Sequence, residues 1–116
     1  MTEKVRETGT NRPRLKTRCY YTDYVNHIIR FYLSTPETLM MEGKRYADIQ
    51  NWIAAQDVFR KLGAEDRKTL EEIFRLSYRV PDGVRLYCNK TGADEKRVWI
   101  LITKTSSAIA KRRGLV

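Results

Sequence analysis

The sequence predicts an all-α protein, and three observations carry the prediction. From Thr22 onward, apolar residues recur at three- and four-residue spacings, which gathers them on one side of a helix. Pro36, Gly43, Gly63, Pro81, Gly83 and Gly92 fall between these periodic stretches and punctuate them. No run reads convincingly as a strand. The 116 residues are 41% apolar and 32% charged, enough for one domain with a modest core and too apolar for a disordered chain.

Residues 1–18 carry Lys4, Arg6, Arg12, Arg14, Lys16 and Arg18 against Glu3 and Glu7, with no apolar period, and are expected to form a flexible basic arm. A single helical domain then spans 19–116. Val25, Ile28, Ile29, Tyr32 and Leu33 define a first helix over about Asp23 to Ser34, capped by Thr22 or Asp23 and stopped before Pro36. Thr35-Pro36-Glu37-Thr38 opens a short helical turn through Met41, with proline at a first helical position. Tyr46, Ile49, Trp52, Ile53, Val58, Phe59 and Leu62 sustain a longer helix up to Gly63, which suits a left-handed C-terminal cap. Acids from Asp66 begin another helix, in which Leu70, Ile73, Phe74 and Ser77 share a face, ending before Pro81-Asp82-Gly83. Val84 to Lys90 reads as a short helix, Thr91-Gly92-Ala93 as a tight turn, and Asp94 as the N-cap of a long helix to about Arg113.

Charge points to a partner. Twenty-three Lys and Arg against fourteen Asp and Glu leave +9, as expected of a domain that meets a polyanion. The excess is segregated: residues 84–116 hold eight cations against two acids, and 1–18 hold six against two. Residues 19–83 hold nine against ten. A merely solvated basic protein would spread its charge evenly.

Several classes are excluded or disfavoured. The longest apolar run, Val98 to Ile102, is far short of the roughly 20 residues of a membrane-crossing helix. The N-terminus shows no export signal, so a cytoplasmic protein is expected. Cys19 and Cys88 are too few for a disulfide framework or a four-ligand zinc site. His27 is the single histidine and reads as a partly exposed polar residue. Cys88 reads as a packed small residue, and Glu65, Asp66, Glu71 and Glu72 as first-turn and surface charges. Tyr20, Tyr21, Tyr24, Phe31 and Tyr32 could stack on single-stranded bases, but their helical spacing favours packing. No catalytic residue, cofactor or metal is expected, and the protein is not expected to be an enzyme.

Residues 84–113 have the order of a helix-turn-helix: a short helix, a glycine turn and a long basic helix. Tyr87-Cys88 supply an apolar and small pair, Gly92 follows four residues after Cys88, Ala93 is the turn residue, and Val98 faces back. The segment resembles the fourth region of bacterial sigma factors. From Asp66 to Val116 the chain is similar to phage regulators of late transcription of the ArpU and RinA type, through Leu76-Ser77-Tyr78, the turn, and the closing Ile109-Ala110-Lys111-Arg112-Arg113-Gly114-Leu115. Tyr87 and Thr91 stand where that family commonly has aliphatic residues, and Arg97 where a small one is frequent. The resemblance implies a sequence-specific DNA-binding transcriptional regulator of prophage or mobile-element origin that helps direct RNA polymerase.

The expected partner is double-stranded DNA, with RNA polymerase as a second, and the protein a monomer or homodimer. Nucleic-acid contacts are assigned to Arg85, Lys90, Lys96, Arg97, Thr103, Lys104, Lys111, Arg112 and Arg113. Most would grip phosphate, while Lys96, Arg97, Thr103 and Lys104 are placed to reach bases. Arg97 is the leading base reader, because its fork matches guanine. Lys111-Arg112-Arg113 also complement the dipole at the helix end.

One feature opposes this assignment. Val98-Trp99-Ile100-Leu101-Ile102 puts apolar groups all round the presumed reading helix. Either Trp99 and Ile100 pack under the front helices or a second subunit, or the helix is a central strut and the DNA surface lies elsewhere. The strut alternative suits a helical phage packaging, structural or adaptor protein that binds DNA or acidic partners without reading sequence.

Overall fold

A computed structural model describes residues 21–40 and 44–116, and these are all-helical apart from connections. The elements are α1 (Thr22–Ser34), α2 (Glu37–Met40), α3 (Tyr46–Arg60), α4 (Ala64–Leu76), α5 (Val80–Thr91) and α6 (Glu95–Arg112). The basic arm expected over 1–18 lies outside the described residues, as do Cys19, Tyr20 and Met41. No described helix is long and apolar enough to cross a membrane.

The helices form two groups that share α6. In front, α1 packs on α3, and both pack on α6; behind, α5 packs on α4 and on α6. Fully buried Ile28, Ile29, Phe59, Leu70, Ile73 and Ile109 fill one continuous core across these contacts. Tyr32 lies tilted on the Trp52 and Phe59 rings at centroid distances of 5.2 and 5.1 Å, so part of the tyrosine-rich segment is core. Trp52 donates its indole N–H to the Thr35 carbonyl at 2.7 Å and ties the end of α1 to α3.

Polar groups fix how the two groups meet. Buried Asn51 donates to the Tyr24 hydroxyl at 3.0 Å and accepts from Arg113 Nε, joining α1, α3 and the end of α6. Arg30 of α1 donates to the carbonyls of Phe74 (3.1 Å) and Tyr78. Its guanidinium also lies over both rings, 5.0 and 4.6 Å from their centroids. These carbonyls belong to the last turn of α4 and the link after it, where no intrahelical partner remains.

Several boundaries differ from expectation. Tyr21, not Thr22 or Asp23, occupies the α1 cap position, and no side chain caps that helix. Gly63 is no left-handed cap: at φ −67° and ψ 161° it is the extended N-cap of α4, which begins at Ala64, two residues before Asp66. The apolar period expected over α3 includes Tyr46 and Ile53, yet Tyr46 is 77% exposed and Ile53 is also exposed. Asn51, Ala54 and Ala55 fill the buried face in their place.

Pro81-Asp82-Gly83 forms the first turn of α5, not a break before it, so that helix starts at Val80 and not at Val84. Proline is suited to a first helical turn, where its missing N–H has no partner to lose. Gly83 is buried in that turn, where α5 closes on the backbone of α4.

Candidate nucleic-acid interface

The chain turns sharply between α5 and α6. Gly92 takes φ +78°, a left-handed conformation that ends α5, and its N–H donates to the Cys88 carbonyl at 2.8 Å. The Thr91 hydroxyl donates to the Tyr87 carbonyl (2.8 Å) and accepts from the Ala93 N–H (3.2 Å). Asp94 then caps α6, its carboxylate accepting from the Lys96 N–H at 3.3 Å. The chain thus breaks between the two helices at Gly92-Ala93-Asp94, with Thr91 the last residue of α5 and not part of the turn as expected.

The apolar run at the start of α6 is divided among different surroundings. Val98 and Ile102 are buried, Trp99 and Leu101 are half-buried against the core, and Ile100 is 58% exposed. Thus α6 is a strut between the two helix groups, yet keeps a solvent-facing stripe. At about 100° per residue, Ile100 lies in the middle of that stripe. Lys96 and Thr103 are on one side of it, Arg97 and Lys104 on the other, and all four are exposed.

The nine assigned contact residues separate into three groups. Lys96, Arg97, Thr103 and Lys104 share the stripe, which exposed Lys111 continues toward the helix end, with Arg112 also exposed but turned off the stripe. Arg85 and Lys90 belong to α5 and are engaged in ion pairs. Both terminal nitrogens of Arg85 donate to Asp82 at 3.1 Å, and Lys90 Nζ meets Glu72 Oε2 at 2.7 Å. Arg113 is half-buried and held by Asn51, which anchors the helix end.

Glu72 accepts from both Lys90 and Arg75, and these bonds, that from Lys90 foremost, lower its pKa below the ordinary carboxylate value. Half-buried Cys88 behaves as the small packed residue expected of it. Burial, reinforced by Glu95 and Asp94, pushes its thiol pKa up and disfavours the reactive thiolate. His27 is exposed on α1.

A cleft of about 540 Å³ runs beside the Arg97–Lys104 edge of the stripe, toward the start of α4. Ile100 and Leu101 line it together with the carboxylate residues Glu65, Asp66 and Asp94. The acids offset part of the positive charge of Arg97 and Lys104 on this edge, whereas Lys96 and Thr103 lie on the opposite edge and are not part of the cleft lining. Sequence reasoning missed this polarity, because nothing in the spacing of Glu65 and Asp66 shows that they return to the side of α6. It also grouped Ile100 with its buried neighbours, although its position, four residues after Lys96 and four before Lys104, marks it as belonging to the polar stripe.

Comparison with known proteins finds no match to this chain among family models, curated proteins or solved structures.

Proposed function

We propose that this protein binds double-stranded DNA as a sequence-specific transcriptional regulator, with the exposed stripe of α6 in the major groove. The observation that carries the proposal is the joint exposure of Lys96, Arg97, Thr103 and Lys104 on the first three turns of α6, directly after the Gly92 turn. A helix fits the major groove, and cations along its leading edge meet both phosphates and base edges there. The acids beside Arg97 weaken its pull on phosphate relative to that of Lys96 and leave Arg97 for a base, where guanine offers two acceptors to its fork. The resemblance to late-transcription regulators of the ArpU and RinA type adds a prophage or mobile-element origin and an RNA polymerase contact to the proposal.

The test is selection from a randomised duplex pool, followed by fluorescence-anisotropy titration of the selected duplex across salt concentrations. A consensus sequence, with affinity falling steeply as salt rises, supports the proposal. Absence of binding at moderate salt overturns it.

A second reading is a helical packaging or adaptor protein that holds DNA or acidic partners without reading sequence. It is favoured by a cleft of about 590 Å³ between α1, α5 and α6, where Val80, Pro81, Trp99 and Ile102 offer an apolar seat to a protein partner. Binding without a consensus selects this reading over the first.

A further inference from the structure

We propose that Ile100 is a specificity residue that reads thymine through its C5-methyl group, within one or two base pairs of the base taken by Arg97. The inference rests on the DNA-binding proposal and deepens it by naming what the centre of the stripe recognises.

A single exposed isoleucine is ordinary on a protein surface. Ile100 is set apart by its position, 58% exposed at the midline of a stripe whose two edges are Lys96 with Thr103 and Arg97 with Lys104. Electrostatic attraction of these three cations to a duplex brings the midline, not the edges, closest to the groove floor. A branched aliphatic group there can neither donate nor accept a hydrogen bond. Against cytosine N4 or the guanine and adenine acceptors it would bury a polar base edge without a partner. The thymine methyl is the apolar group that the major groove presents, so it alone matches the side chain.

Spacing sets the register. Three residues separate Arg97 from Ile100, an advance of about 4.5 Å along the helix axis. That is slightly more than one base step of about 3.4 Å. The recognised sequence should therefore hold an A·T pair adjacent to, or one removed from, the base pair that loses its importance in Arg97→Ala. The charge around Ile100 also argues against self-association through this face, since a second copy would bring like cations together.

The test uses the full chain and the duplex selected from the random pool. Each thymine is replaced in turn by deoxyuridine, which removes the methyl and keeps every Watson–Crick hydrogen bond. One replacement near the Arg97-dependent base pair should weaken binding about fourfold, the effect of losing burial of roughly one methyl group. The same replacement should have a clearly smaller effect for Ile100→Ala, whose shortened side chain buries less of the methyl group and whose fold is checked by circular dichroism. An equal deoxyuridine effect in both chains overturns the inference, as does a selected sequence without thymine at that spacing. Loss of a dimer in Ile100→Ala, with the deoxyuridine effect intact, also overturns it and assigns the residue to a subunit contact. In all three cases the DNA-binding proposal survives. Failure of the unaltered chain to bind any duplex removes both together.

Discussion

Gly83 meets Ile73 so closely that a β-carbon on the glycine would lie 2.5 Å from the Ile73 carbonyl oxygen and 3.2 Å from its Cγ2. The obstacle is backbone, so it cannot swing aside as the end of a flexible side chain would. Gly83→Ala must push α5 away from α4, against the gain of about 0.5–1 kcal/mol that alanine brings to a helix interior. Overpacking of this kind costs about 1–3 kcal/mol. The expected result is a net loss of stability, with a melting temperature lower by roughly 5–10 °C. An unchanged or raised melting temperature by circular dichroism would show that the two helices are not held this close.

Thr105 presents the reverse case. It is buried on α6, and its hydroxyl has no hydrogen-bond partner among the described residues. Valine has nearly the same shape without the stranded polar atom. Leaving such a group unsatisfied costs about 1–3 kcal/mol, so Thr105→Val should stabilise the protein by about 1 kcal/mol. In urea, the midpoint should rise with an unchanged slope. A lower midpoint would mean that the hydroxyl has a partner, such as a bound water.

The helix pattern was legible because an apolar period of 3.6 residues is written locally, as in Val25, Ile28 and Ile29 or Leu70, Ile73 and Phe74. Asp94 and Gly92 were legible for the same reason, since a cap and a left-handed turn are chosen by the residues that adopt them. Contacts between distant segments were not. Gly83 reads as a helix breaker until α4 is seen against it, and the apolar period of α3 passes over Asn51, on which Arg113 and Tyr24 converge. In the site, the sequence separated cations from acids along the chain but not in space. Lys90 carries its charge into a pair with Glu72, eighteen residues away.

That pair has a pH signature. The bonds from Lys90 and Arg75 lower the Glu72 pKa below its unfolded value, so the stabilisation they bring is fully present above the unfolded carboxylate range, about 4.3. It is lost as pH falls through the lower, folded value. Glu72→Gln should therefore melt below the parent at neutral pH, and the difference should close on acidification beneath the ordinary carboxylate range. Both side chains stand at the surface, so the gap will be small and should shrink with added salt. A gap independent of pH would assign the loss to packing.

The ion pairs also divide the basic residues into unequal classes, which binding measurements can separate. Lys96 makes no ion pair among the described residues, so Lys96→Ala removes a charge that is available to phosphate. Its expected effect is a nearly uniform weakening across sequences, with the logarithmic salt slope reduced by about one. Arg97→Ala should instead lower the preference for one base pair by about 1–3 kcal/mol. Arg85 and Lys90 are already held by Asp82 and Glu72, and must give up those partners before they can grip DNA. Lys90→Ala should accordingly reduce affinity less than Lys96→Ala, and Glu72→Gln should raise it slightly by releasing Lys90 and removing a negative charge. Equal losses for Lys90→Ala and Lys96→Ala, with no change in base preference for Arg97→Ala, would move the DNA surface off the α6 stripe and favour the sequence-blind adaptor.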